Sequence, residues 1–112
     1  MNRNVERVRD ALSELIKAAL VSDDGRSLAY REAARGQLAA LAAEPPDPAS
    51  LRMEGAWTLA IQEAERPERA PEQGRVNLTL PRQPPFDLDA LLAPGFDVDA
   101  AVEQIRRIAS TG

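Results

Sequence analysis

Residues 51–64 read LRMEGAWTLAIQEA, and the period assigned to them decides the fold class. Leu51, Met53, Trp57, Leu59 and Ile61 all stand at odd positions, and a period of two means a strand. Ala56, Ala60 and Ala64 fall at helical spacing instead, and alanine disfavours strands. A second run weighs on the side of the strand: Val76, Leu78 and Leu80 alternate with Arg75, Asn77 and Thr79, between Gly74 and Pro81. A strand there needs a partner for its backbone amides and carbonyls. Residues 55–64 and 75–81 are therefore expected to form a β-hairpin, with the charged connector ERPERAPEQG, residues 65–74, as its mobile tip.

On either side of this region the period is helical. All nine prolines fall in four clusters, at 45–48, 67–71, 81–85 and 94, which mark the ends of the elements because proline removes a backbone donor. Val5, Val8, Leu12, Leu15, Ile16, Ala19 and Leu20 recur at three and four residues and predict a first helix. After the polar turn Ser22–Gly25, with Ser27 as N-cap, Tyr30, Ala34, Leu38 and Leu41 predict a second, antiparallel to the first. A short and a longer helix are expected after Pro85. The fold class so read is α+β in a single small domain, residues 1–112.

Composition excludes much of catalysis. With no cysteine and no histidine among 112 residues, the chain holds no disulfide, thiolate nucleophile, imidazole base or zinc finger. Carboxylates, arginines, Lys17, Tyr30 and hydroxyls remain, and no spacing among them selects a catalytic pair. The six glycines are scattered singly, so no phosphate-binding loop is present. Charge runs through the apolar positions of the first twenty residues, which fits neither a signal peptide nor a membrane span, and a cytoplasmic location follows. No cofactor is implied.

The C-terminal part carries a repeat with a ten-residue offset, in which Phe86-Asp87-Leu88-Asp89 is echoed by Phe96-Asp97-Val98-Asp99. Asp87 and Asp97 stand where helix N-caps are needed, and Asp89 and Asp99 add negative charge to the first turns. A calcium loop starting at Asp87 fails, because Leu91, Leu92 and Val98 occupy positions that need an oxygen ligand, a glycine and a glutamate. Residues 83–103 hold five acids and no base, while the rest of the chain is nearly balanced with 13 acids and 14 bases. The acidic excess is local.

Acids interleaved with Phe86, Leu91 and Phe96 make residues 82–103 an acidic docking segment, suited to a protein partner with a basic or grooved surface. The partner-binding residues so identified are Phe86, Asp87, Asp89, Leu91, Phe96, Asp97 and Asp99. Nucleic acid is disfavoured by the same charge. Since 20 of the apolar residues are alanine, the core is thin and a homodimer is expected, joined through the hairpin residues Trp57, Leu59, Val76 and Leu78. The function read from sequence is a non-enzymatic protein–protein interaction module: an accessory, adaptor or inhibitor protein, antitoxin-like, of bacterial or phage origin. The alternative is a small enzyme or ligand-binding domain built on carboxylates and arginine.

Overall fold

The computed structural model describes residues 3–65 and 78–111. Five α-helices make up almost all of the regular structure among them: α1 Arg3–Leu20, α2 Asp24–Ala43, α3 Met53–Ala64, α4 Leu88–Leu92 and α5 Val98–Ile108. The expected α+β class is corrected by α3. Residues 53–64 form a helix where a strand was expected at 55–64, so the expected β-hairpin with 75–81 is absent among the described residues. Leu78–Thr79 does pair antiparallel, but with Ser110–Thr111 near the C-terminal end of the chain. The expected hairpin tip, apart from Glu65, and Val76 lie outside the described residues.

The helix wins because Met53, Trp57, Ile61 and Ala64 are spaced by four, four and three, which makes one helical face as readily as an alternation. Alanine then decides: Ala56, Ala60 and Ala64 are buried beside Trp57, and their small side chains favour helix over strand. Small contacts also let the helix approach α1 closely. The Trp57 indole N–H donates to the Pro81 carbonyl at 2.9 Å, so the ring is covered on all sides and its polar handle is satisfied.

The centre of the molecule is α1. It touches α2, α3 and α5, and Val8, Ala11, Leu12, Leu15, Ile16, Ala18 and Ala19 are wholly buried. A helix covered on this many sides buries polar residues too, and these are paired. Lys17 donates to Glu14 at 2.7 Å and lies 5.2 Å from the centre of the Tyr30 ring, while the Ser13 hydroxyl donates to the Asp10 carbonyl. The second helix begins earlier than expected. Asp23 is its N-cap, accepting from the Arg26 amide at 2.8 Å, and Ser27 instead turns inward and donates to the Ala18 carbonyl of α1.

Two substitutions test this account of α3. Trp57→Ala is expected to lower unfolding stability by about 3–5 kcal/mol. Trp57→Phe keeps most of the packing but orphans the Pro81 carbonyl, and is expected to cost about 1–3 kcal/mol. Urea unfolding followed by circular dichroism checks both.

Candidate docking surface

Each unit of the Phe-Asp-x-Asp repeat starts a helix. The Asp87 carboxylate accepts from the Ala90 amide at 2.7 Å and caps α4, and the Asp97 carboxylate accepts from the Ala100 amide at 3.1 Å and caps α5. The phenylalanines before the caps then meet. Phe86 and Phe96 pack edge to face, with ring centres 5.5 Å apart and planes at 87°. This geometry adds about 0.5–1.5 kcal/mol to the area the rings bury. The repeat is thus a pair of helix starts held together by its own aromatic rings. Leu88 and Leu91 continue from this pair into the core.

The second aspartates of the two units have different surroundings. Asp89 is exposed on α4 and makes no ion pair among the described residues. Asp99 accepts from Arg31 at 3.0 Å and from Arg35 at 2.8 Å, both on α2. Glu103, one turn further along α5, accepts from Arg31 at 3.3 Å and from Arg106 at 3.1 Å. Arg106 also reaches beneath α1, donating to the carbonyls of Ala18, Ala19 and Val21 at 3.2, 3.3 and 2.9 Å. Those carbonyls are among the ones a helix C-terminus leaves without intrahelical partners. Ser27 completes a closed ring: it donates to Ala18 and accepts from Arg31. Two of the five acids in residues 83–103 are therefore neutralised inside the molecule.

Asp87, Asp89 and Asp97 are the three that remain. Asp97 lines a shallow, open groove of about 590 Å³ between α4 and α5, together with Pro85, Phe86, Phe96 and Gln104. Ala90, Ala93, Gly95, Ala100 and Ala101 complete its lining. A second groove of about 390 Å³ lies between α2 and the α4–α5 connection, with Arg35 at its edge.

Of the residues expected to bind a partner, Phe86 and Leu91 are core residues, Phe96 is half-buried, and Asp87, Asp89 and Asp97 are exposed. Asp99 is held by α2. Of those expected in self-association, Trp57 is wholly buried within one chain and Leu59 is half-buried on α3. The hairpin that would have joined them to Leu78 and Val76 is replaced by α3. Sequence reasoning missed Arg31, Arg35 and Arg106. A trace of the last was present, since a basic residue in the last turn of α5 is favoured by the helix dipole, but its reach to another helix's carbonyls was not legible.

Among the described residues no three acids converge to hold a metal ion, and no helix is long and apolar enough to cross a membrane. The Asp99 carboxyl is held below its ordinary value of 3.8, chiefly by the hydrogen bond from Arg31, against an opposing effect of burial and with smaller help from the charges of Arg35 and Arg31. A lowered carboxyl stays ionised at neutral pH, which is opposite to what a general acid needs.

A group whose folded pKa is depressed contributes stability above its unfolded value and loses it as pH falls through the folded one. Asp99 is therefore expected to titrate below 3.8 by carboxyl-carbon NMR, with Arg31→Gln moving the midpoint up toward 3.8 and high salt reducing the difference. Arg106→Ala is expected to lower stability by about 1–3 kcal/mol, because it strips donors from three carbonyls. Arg106→Lys is expected to recover less than half of this in urea unfolding, since an ammonium lacks the planar fork. Comparison with protein-family models, curated proteins and solved structures finds no match to the chain, so its function is argued from this surface.

Proposed function

We propose that the chain is a non-enzymatic protein–protein interaction module, an accessory, adaptor or inhibitor protein of the cytoplasm, that docks through residues 82–103. The observation that carries this reading is the division of the acids. Asp99 and Glu103 are consumed by Arg31, Arg35 and Arg106, whereas Asp87, Asp89 and Asp97 have no ion pair among the described residues, and Asp97 lines a shallow, largely apolar groove. Negative charge beside apolar surface steers and orients a protein partner of opposite charge. The same charge repels nucleic acid and anionic lipid.

In this reading the module is a homodimer as well, because eight of the residues in its core cluster are alanine and each chain buries few large side chains. Sedimentation showing a monomer at micromolar concentration removes the dimer and leaves the docking face standing.

Asp89→Lys reverses one exposed charge on α4, and Glu65→Lys makes the same change at the end of α3, outside residues 82–103. Immobilised wild-type chain and both variants, exposed to extract of the native host and compared by mass spectrometry, are expected to share a partner that only Asp89→Lys loses. Identical capture by all three contradicts the proposal. Phe86→Ala is no test of docking, because Phe86 lies in the core and its loss destabilises the fold.

A further inference from the structure

We propose that Lys17 is a masked acylation site. Its amine is out of reach of acyl donors while α2 lies on α1, and once acylated in an opened chain it keeps the two helices from closing. Lys17 is the only lysine among 112 residues, beside 13 arginines, so every lysine-directed reaction on this chain falls on one side chain. A long cationic side chain on a helix ordinarily keeps its head in water. Here the side chain is only 8% exposed, and its ammonium turns back along α1 to donate to Glu14 at 2.7 Å. The Glu14 side chain is itself only 15% exposed. From α2, the Tyr30 ring covers the same ammonium, with its centre 5.2 Å away.

The donor is an activated acyl group, a thioester or an acyl phosphate. The ammonium loses one proton to solvent, and the neutral nitrogen attacks the acyl carbon. The N–C bond forms, the thiolate or phosphate leaves with the bonding pair, and the nitrogen gives up a second proton as the amide is completed. This needs a free path to the nitrogen, and in the closed chain the Glu14 carboxylate and the Tyr30 ring stand against it. Drawing Lys17 out alone strands Glu14 in a largely covered place, and removing one member of a buried pair is strongly unfavourable. Opening of α2 from α1 therefore comes first. The product then opposes closure, because an acyl-lysine has no charge to pair with Glu14 or to face Tyr30. Its added atoms also need room in a packed contact.

The test exposes the full chain briefly to the N-hydroxysuccinimide ester of acetic acid over a range of urea concentrations and follows acetylation of Lys17 by peptide mass spectrometry. The native chain is expected to react more than about tenfold more slowly than the unfolded one, with the rate rising as urea opens the α1–α2 contact. Tyr30→Ala is expected to raise the native rate, and Tyr30→Phe, which keeps the ring, to leave it near that of the unaltered chain. Chain acetylated at Lys17 while unfolded and then returned to buffer is expected to unfold at lower urea than chain given the same reagent while folded. A native rate equal to the unfolded one overturns the masking, and this comparison needs no variant. Equal urea midpoints for the two acetylated samples overturn the hold on the open state.

Discussion

The carboxyl end of α1 lies at the junction of α2 and α5, where its last carbonyls have no partners within the helix. Arg106 and Ser27 supply the missing donors, and everything on the C-terminal side of the molecule is positioned through them. Because Arg106 is on α5, capping α1 fixes α5 against it. Because Ser27 is on α2 and accepts from Arg31, which also binds Asp99 and Glu103, the same junction ties α2 to α5. The exposed arms of this ring are individually weak, since ion pairs in contact with water contribute about 0–1 kcal/mol. Its strength lies in the carbonyls of Ala19 and Val21, which lose the Arg106 donor together if α5 moves away, while Ala18 keeps Ser27.

From that junction the position of the proposed docking face follows. With α5 fixed, Asp97 and Phe96 are fixed at its start, and the Phe86–Phe96 contact carries the position back to α4. The groove is thus shaped by the α1–α5 junction and by the ring contact in its own lining. A preformed surface loses little entropy on binding, which offsets the small number of large side chains that the chain presents. The acids divide in their contacts: Asp99 and Glu103 tie α5 to α2, Asp87 and Asp97 cap α4 and α5, and in the proposed docking role Asp87, Asp89 and Asp97 present charge.

Parts of this were legible in the sequence for clear physical reasons. Local signals held: the three-and-four spacing of α1, the capping role of Asp87 and Asp97, and the amphipathic α5. Residues 53–64 were misread because a spacing of four, as from Trp57 to Ile61, satisfies both a helix and an alternation. The alanines between them carried the correct reading, and the apparent need of residues 75–81 for a neighbouring strand outweighed it. That need is met at Leu78–Thr79 by Ser110–Thr111, a pairing too short and too distant in sequence to leave a pattern. The division of the acids was hidden for the same reason, since Arg31 lies 68 residues from Asp99 and 72 from Glu103.

If the α1 terminus is the anchor, α5 cannot detach while α1 remains folded. Native-state amide hydrogen exchange measured over a range of low denaturant concentrations reports this directly. The amides of Val102, Ile105 and Arg106 are predicted to open with the same free energy and the same denaturant dependence as those of Leu12, Leu15 and Ile16. If the α5 amides exchange through a separate opening of much lower free energy, α5 is an independent appendage and the anchoring role of Arg106 is contradicted.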